Sequence, residues 1–583
     1  MRFNPRRRRT FVLAVVAFAV LVSSGIAGAR GRHAAPSAPP PSPRQQQFTA
    51  AAHEFAVPEP LLLALSYALA RWEDAKGAPI DTSGGFGPMH LTAADGYAYA
   101  ASVAPGRIDV ASVVRSINTD PAMHTLEAAA ALVHVPPGQL SRDAKQNIRA
   151  GAALLAFYAG TPRPTTLDGW YDAVARYVGG GTITPAARQL ADAVFDVLRS
   201  GATGETADGQ RMVLAAQPAR AGSAQSAQSA ECPAGLECRF VAAAGYDRAR
   251  RGVGQVRYLV LGSAGTPYEH AVARIADPRG FTSAHYLVRA SDGQVTQLVR
   301  GADVAWFAAS PAINAAAIGI GLDSVGGGAL VRYSEATYTS VAALVKYLAA
   351  TYKIPLDRQH VLGRDELPAA AGAVRPANDP GARWDWGHLF TLLDAPLAPP
   401  ADDFGRAVAF VPSFADNTQP VLQCAVVGTG CADLGRQQVN FVPLRMAPSD
   451  GAPLLSDPAV HPEGAPGSTD VADTGDKAVA GQIFAVAERR AGWTAVWYGG
   501  QRGWFRDAAG LTRQVRSPLV TPTPGLGSID VFTDPAGPPH PAYTVAAGQS
   551  YPLLGRFPGG FDLIGFNHGV AFVRSSDVSV WPG

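Results

Sequence analysis

Low-complexity segments divide this chain of 583 residues, and they limit how it can fold. Residues 30–46 are rich in Pro, Ser and Gln, whereas residues 201–231 are rich in Gly, Ala, Ser and Gln. Neither has the periodic apolar positions from which a core is built, so both are predicted to be linkers. A Pro-rich break near residue 397 opens a third predicted linker, residues 397–435. Because one hydrophobic core rarely serves so long a chain, we expect a multidomain α+β protein.

The overall charge balance excludes one class of function. The chain is 47% hydrophobic and 16% charged, with a net charge of +2. Those values fit ordinary folded domains, whereas a nucleic-acid-binding domain needs a concentrated basic face. We therefore predict no nucleic-acid partner.

The N-terminus has the pattern of an export signal. An arginine block at residues 6–9 precedes an apolar run at residues 11–22 and a small-residue stretch that ends in Ala-Gly-Ala. This order predicts a signal peptide over residues 1–29. An uncleaved N-terminal anchor is the alternative, although the apolar run is short for a membrane span. The sequence thus predicts a secreted or cell-wall protein without stable membrane association after cleavage.

The four cysteines form two close pairs, Cys232 with Cys238 and Cys424 with Cys431. In an exported protein, such pairs predict two local disulfides. A zinc cluster is the alternative, but neither pair has CxxC spacing.

Periodicity predicts the elements between the linkers. Residues 47–200 are predicted to be a helical domain, with helical patterns at residues 61–69, 145–158 and 187–199. Residues 232–396 alternate between strand and helix patterns, which indicates an α/β domain. Its predicted elements are a strand at 258–261, a hairpin joining 285–289 to 295–299, a strand at 317–322 and a helix at 334–352. Residues 436–514 and 515–583 have short strands and many turns, which favours small all-β barrel modules.

The α/β domain carries an ordered series of motifs. In sequence order they are RYLVL, SAHYLVRASDGQVTQLV, DVAWF, AAIGI, YLAATYKIPLDRQHVLG and NDPGARWDW. Together they resemble the type-2 N-acetylmuramoyl-L-alanine amidase, or peptidoglycan-recognition, family in its exported actinobacterial form. The resemblance implies a central mixed sheet and cleavage of the amide between the lactyl group of the glycan and L-alanine. It also implies a zinc ion with three protein ligands and an activated water.

At the family's ligand positions this chain departs from the pattern. Gly262 stands where the first His is expected, Arg364 replaces the second, and only Asp379 is retained. Gly321 occupies the position of the frequent Glu, and Phe307 occupies that of a His found in many relatives. Since one carboxylate does not hold catalytic zinc, we predict no cofactor unless the chain is active, in which case it would be zinc. Arg364 is expected to form a salt bridge with Asp379.

Other histidines lie near these motifs, and each is expected to be structural. They are His270, His285, His360 and His388.

The helical domain resembles the lysozyme-like, lytic-transglycosylase superfamily. The segments that carry the resemblance are LLLALSYALARWEDAKG, TSGGFGPMHLT, NIRAGAALLAFY and WYDAVARY. The resemblance implies glycan cleavage by one Glu at the end of the first core helix, but alignment on Arg71 and Trp72 places Leu69 there. Glu73 is the remaining candidate for the catalytic acid, and the alternative is an ordinary helix-end carboxylate.

Residues 436–514 resemble a bacterial Src-homology-3-like wall-binding module. Its aromatic side chains either stack on ligand or fill the barrel core. They are Trp493, Trp497, Tyr498, Trp504 and Phe505.

Two functions follow from these resemblances. The first is a protein that binds peptidoglycan or muropeptides with a degenerate zinc site. The second is an active zinc amidase of peptidoglycan turnover. Because site chemistry decides function more directly than fold, Gly262 and Arg364 favour binding.

Overall fold

The computed structural model describes residues 40–81, 84–96, 110–219, 229–323, 330–368, 379–398, 406–426, 429–535 and 541–582. The predicted signal peptide therefore lies outside the described residues. From Ser42 onward the chain forms one compact unit. Among the residues described, none of the helices has the length and apolar character needed to cross a membrane.

The N-terminal part is helical, and its helices begin at residues suited to that role. Ser42 and Thr184 accept hydrogen bonds from the backbone N–H groups of Gln45 and Ala187, and each precedes a proline. The three helices predicted from periodicity are confirmed. The helices are α1 (Pro43–Phe55), α2 (Glu59–Ala70), α3 (Val110–Thr119), α4 (Thr125–Val133), α5 (Pro137–Leu140), α6 (Ala144–Ala159), α7 (Tyr171–Val178) and α8 (Pro185–Ser200).

Two hairpins accompany these helices. They are formed by β1 (Gly85–Phe86) with β2 (Leu91–Thr92), and by β3 (Ala202–Glu205) with β4 (Arg211–Leu214). The second hairpin lies in a segment predicted to be a linker, and that prediction is wrong for residues 202–214. Met212 and Leu214 alternate with exposed residues and are buried against the helical core. This alternation spans only four residues, so the surrounding Gly and Ala obscured it.

The middle of the chain forms a mixed sheet in the order β10-β6-β9-β7-β8-β5. Neighbours β10, β6, β9 and β7 run parallel, while β7 and β8 form the predicted antiparallel hairpin. The parallel strands bring their carboxyl ends to one edge, where α/β sheets usually bind ligands. The strands are β5 (Cys238–Phe240), β6 (Tyr258–Ser263), β7 (Tyr286–Val288), β8 (Val295–Gln297), β9 (Ala317–Leu322) and β10 (Val361–Gly363). The helices are α9 (Tyr268–Ala276), α10 (Pro311–Ala316), α11 (Glu335–Tyr352) and α12 (Trp386–Leu392).

The C-terminal part is built of strands. Two sheets have the orders β18-β17-β16-β11-β19 and β25-β24-β23-β20-β26. The strands of the first region are β11 (Ala407–Phe410), β12 (Thr418–Val426), β13 (Thr429–Gln438), β14 (Phe441–Pro443), β15 (Lys477–Val479), β16 (Ile483–Arg490), β17 (Trp493–Tyr498), β18 (Gln501–Arg506) and β19 (Thr512–Val515). Those of the second are β20 (Leu519–Pro522), β21 (Ser528–Val531), β22 (Tyr543–Ala546), β23 (Tyr551–Phe557), β24 (Phe561–Gly565), β25 (Val570–Arg574) and β26 (Val578–Trp581).

The predicted linker at residues 397–435 contains ordered strands instead. Strand β11 is fully buried and pairs with β16 and β19 inside the first C-terminal sheet. Strands β12 and β13 form a long hairpin that is closed by the Cys424–Cys431 disulfide. Strand β11 is a short apolar run beside a Pro-rich break, so composition alone misplaced it. The Cys232–Cys238 disulfide is also present, and both predicted pairings are confirmed.

The aromatic residues of the first C-terminal region lie mainly in its core. Trp493, Tyr498, Trp504 and Phe505 are all buried. Trp497 is half-buried, and the Arg502 guanidinium lies 5.4 Å from the centre of its ring. Packing therefore accounts for most of the aromatic cluster.

Candidate functional site

The three positions predicted from the zinc-site motifs come together at the carboxyl edge of the mixed sheet. Gly262 lies near the end of β6, Arg364 directly follows β10, and Asp379 lies beside both. Arg364 Nε donates a hydrogen bond of 2.5 Å to Asp379 Oδ2. The Ser263 N–H donates to the other carboxylate oxygen. The expected salt bridge between Arg364 and Asp379 is present.

The missing side chain of Gly262 leaves room that other residues fill. A Cβ atom at this position would lie 3.0 Å from Arg364 Cβ and 3.1 Å from Phe307 Cζ. Arg364 and Phe307 also contact one another, with the guanidinium carbon 4.8 Å from the ring centre. This distance allows a cation–π interaction, which helps to fix the arginine.

Gly321 is closely packed on the neighbouring strand. A Cβ atom there would overlap the Leu287 side chain on β7. The site therefore lacks the carboxylate that a Glu would supply, and a side chain at this position would have to displace the Leu287 methyl group.

The electrostatics of this edge also disfavour a metal. Burial raises the pKa of the Asp379 carboxyl above its ordinary value, and the positive charge of Arg364 offsets part of that effect. Zinc binds deprotonated or neutral donors, and a catalytic site requires three of them. Here one carboxylate is already paired with a permanent cation, and the other two positions offer no donor. The residues present do not fit a zinc ion.

Leu69 and Glu73, the two positions considered for a catalytic acid in the helical part, lie in different environments. Leu69 is buried in the last turn of α2 and lines a cavity of about 110 Å³. Glu73 follows the helix, and its carboxylate oxygens accept the Ala207 N–H at 3.0 and 3.1 Å. Burial raises the pKa of Glu73, and the Ala207 hydrogen bond counteracts this. These contacts give Glu73 a partner in the turn between β3 and β4.

Arg71 links the helical part to the carboxyl edge of the sheet. Its Nη2 lies 3.1 Å from Glu269 on α9 and 3.2 Å from Asp323, the residue after β9. The exposed fractions of these side chains are 13%, 6% and 2% in that order. Burial alone would lower the pKa of Arg71, but the two carboxylates outweigh it and raise that pKa. Burial raises the pKa of Asp323.

A second cluster joins the same two parts of the chain. Asp81 Oδ2 lies 2.7 Å from His90 Nε2 and 3.2 Å from His270 Nδ1. Thr266, in the loop after β6, donates its hydroxyl to the same oxygen at 2.8 Å. Asp81 and His90 belong to the helical part, whereas Thr266 and His270 belong to the mixed-sheet part. We refer to Asp81, His90 and His270 as the junction cluster.

Burial and charge shape this junction cluster. Burial alone would raise the pKa of Asp81, but His90 and His270 outweigh it and hold that pKa well below its ordinary range. Burial lowers the pKa of His270. Sequence reasoning did not find Asp81 or His90 and treated His270 as structural. The one available signal was the His of the GFGPMHLT turn, whose partners are distant in sequence.

The remaining histidines have structural contacts. His285 is buried, and its Nδ1 accepts a hydrogen bond of 3.0 Å from the Gly319 N–H. Burial and the nearby Arg251 lower its pKa to about 3, so the ring is neutral. His360 pairs with Asp357 at 2.7 Å, and His388 pairs with Glu335 at 2.9 Å.

Comparisons with known proteins found similarity to amidases, and the family match lies in the mixed-sheet part. Residues 252–382 match the Amidase_2 family, described as N-acetylmuramoyl-L-alanine amidase. N-acetylmuramoyl-L-alanine amidase A of Achromobacter lyticus is 27% identical over 156 residues, which are 24% of this chain and 84% of that protein.

Solved structures are also similar to part of the chain. One is the endolysin N-acetylmuramoyl-L-alanine amidase LysCS from Clostridium intestinale, with 19% identity, a TM-score of 0.21, and coverage of 28% of this chain and 95% of that one. Another is a mutant endolysin from Bacillus subtilis, with 18% identity, a TM-score of 0.19, and coverage of 22% and 84%. The family match places an Amidase_2-type domain at residues 252–382, within the mixed-sheet part.

Proposed function

We propose that this chain is an exported peptidoglycan-binding protein whose amidase-type domain has lost hydrolysis at the family's metal position. The family match to residues 252–382 supports peptidoglycan as the ligand. The N-terminal sequence pattern supports export. The helical part, which resembles lysozyme-like domains, and the C-terminal barrels would add further contacts with the cell wall.

One observation carries the loss of hydrolysis. By the order of the sequence motifs, Arg364 and Asp379 align with two of the family's zinc-ligand positions, and these two residues form an ion pair. The adjacent Gly262 supplies no ligand, and its space is filled by Arg364 and Phe307. Without a metal-activated water, the stable amide bond has no nucleophile at this edge. An active zinc amidase would need donors that these positions do not provide.

A polar cleft between the helical part and the mixed sheet suits a muropeptide. Its volume is about 500 Å³, and its lining includes Arg239, Arg289 and Asp292. The guanidinium carbons of both arginines lie within 5.6 Å of the centre of the Tyr268 ring. Guanidinium groups bind carboxylates in paired hydrogen bonds, and stem peptides carry carboxylates. Arg289 already makes such a pair with the exposed Asp292 at 2.9 and 2.6 Å, so a stem-peptide carboxylate would bind Arg239 or replace Asp292 on Arg289. We therefore place the stem peptide in this cleft.

The proposal is tested by incubating the full chain with insoluble peptidoglycan and measuring both retention and newly released L-alanine amino termini. We expect retention without release. The Arg239→Ala/Arg289→Ala variant should bind at least about tenfold more weakly, because a charge-assisted hydrogen bond contributes about 1.5–3 kcal/mol. Arg149→Ala is the matched control, since Arg149 is an exposed arginine that pairs with Glu54. Release of amino termini by the wild-type chain, or retention unaffected by the double substitution, would contradict the proposal.

A further inference from the structure

The junction cluster has the donors of a metal site rather than of an ordinary ion pair. Two imidazole nitrogens and one carboxylate oxygen converge, and these three atoms all lie within 4.8 Å of one another. Zinc bound tetrahedrally at roughly 2.0–2.1 Å from each ligand atom separates its ligands by about 3.3 Å. The observed separations from Asp81 Oδ2 are 2.7 Å to His90 and 3.2 Å to His270. Shifts of less than about 1 Å would admit an ion.

The surroundings hold the three donors in place. The Asp81 and His90 side chains are 0% and 4% exposed, and the His270 side chain is 16% exposed. The rings of His90 and His270 meet edge to face with centres 4.6 Å apart, so their nitrogens approach the carboxylate from different directions. A side chain at Gly85 would overlap the His90 ring, so the ring can occupy this position because residue 85 is a glycine. The Thr266 hydroxyl contacts Asp81 Oδ2 and His270 Nδ1, the two atoms that would ligate the ion, so it would have to turn away when an ion binds.

The junction cluster borders a cavity on one side. His90 and His270 both line the cavity of about 110 Å³ that Leu69 also lines. A water molecule needs only about 30 Å³, so the cavity can hold an exchangeable fourth ligand beside the ion. Three protein donors with one open position are typical of zinc sites that exchange a ligand.

We infer that Asp81, His90 and His270 bind one divalent transition-metal ion, with zinc as the ion that this donor set suits best. The site differs from the family's position, where Arg364 and Asp379 form an ion pair. It also joins two separate parts of the chain, because Asp81 and His90 precede the predicted linker near residue 220 and His270 follows it. The inference does not depend on muropeptide binding.

Metal binding by the full chain, with any purification tag removed, tests the inference. The chain is stripped with a chelator and titrated with zinc alone by calorimetry, and cobalt absorption reports the coordination geometry. We expect one equivalent of zinc, tetrahedral cobalt bands, and slower amide exchange in residues 85–92 and 268–276. His270→Gln should weaken zinc binding more than about 100-fold, which exceeds the usual effect of losing an outer partner.

Two control variants separate this site from others. His388→Gln changes a histidine that pairs with Glu335 at the surface, and Asp379→Asn changes the family's remaining ligand position. Both should bind zinc as the wild type does. Sub-stoichiometric binding by the wild-type chain would overturn the inference without any variant. Binding that is retained in His270→Gln but lost in Asp379→Asn would overturn it by placing the ion at the family's position.

Discussion

Replacing Arg71 with Met should loosen the contact between the helical part and the mixed sheet. The substitution keeps an unbranched apolar stem but removes the guanidinium, which leaves Glu269 and Asp323 buried without their shared cation. Asp323 would retain the Tyr268 and Ala290 N–H groups, and Glu269 would retain Arg289 at 3.7 Å. Breaking a buried ion pair by removing one partner costs about 3–5 kcal/mol. We expect a value in that range.

Hydrogen exchange measured by mass spectrometry can locate this effect, whereas a single unfolding midpoint is poorly defined for a chain of several domains. A loss of about 3–5 kcal/mol corresponds to roughly 10²- to 5 × 10³-fold faster exchange in α2, α9 and β9. Arg149→Met is the matched control, because its pair with Glu54 is exposed and should contribute less than about 1 kcal/mol.

The effect should also depend on pH, since burial raises the pKa of Asp323 in the folded protein. A group with a raised folded pKa favours folding at low pH, and that contribution is lost as the pH rises through the folded value. The difference between Arg71→Met and wild type should therefore be largest near neutral pH and decrease towards pH 4. Equal exchange in Arg71→Met and Arg149→Met, or a difference that does not change with pH, would refute the reasoning.

Three further substitutions give distinct outcomes. Gly262→His/Arg364→His should create a second zinc equivalent by calorimetry, whereas Gly262→His alone should not, because Arg364 then remains paired with Asp379. Glu73→Gln should leave binding to peptidoglycan unchanged, because a neutral amide oxygen can still accept the Ala207 N–H; loss of a lytic activity in this variant would instead identify Glu73 as an acid. Replacing both cysteines of the Cys232–Cys238 pair with Ser opens a loop with a sequence separation of 6. This change should lower the local stability, measured by hydrogen exchange, by about 2 kcal/mol. An unchanged exchange rate would show that packing alone fixes the loop.

Local patterns predicted much of the fold, because helices and strands with long periodic apolar stretches are specified by nearby residues. Strand β9 was predicted at its observed residues, and the helix predicted over residues 334–352 is α11, which has Ser334 as its N-cap. The hairpin of β3 and β4 was missed because its alternation is short and its stability comes from packing on the helices. Strand β11 was missed for a different reason: it is a short apolar run beside a Pro-rich break and is held by its pairing with β16 and β19.

The residues of one candidate site could be predicted from the sequence, whereas those of the other could not. Motif order identified Gly262, Arg364 and Asp379, and the side-chain chemistry of the last two predicted their ion pair. The junction cluster was not predictable in this way. His270 lies 180 or more positions from Asp81 and His90 in the chain, so their convergence depends on how the helical part and the mixed-sheet part pack within one compact unit. Sequence periodicity carries no information about that packing.

The close packing at Gly262 makes the order of substitutions matter for any mutational path towards a zinc-binding arrangement. Introducing His at position 262 first would force it against Arg364 and Phe307, because a Cβ there already lies 3.0 and 3.1 Å from them. Replacing Arg364 first would leave the buried Asp379 without its cation. Each single step is therefore unfavourable, whereas the two together remove the contact with Arg364 and allow a bound metal ion to replace the lost cation beside Asp379. Because neither substitution is favourable alone, the ion pair would persist in a lineage even where a metal at that position would be useful.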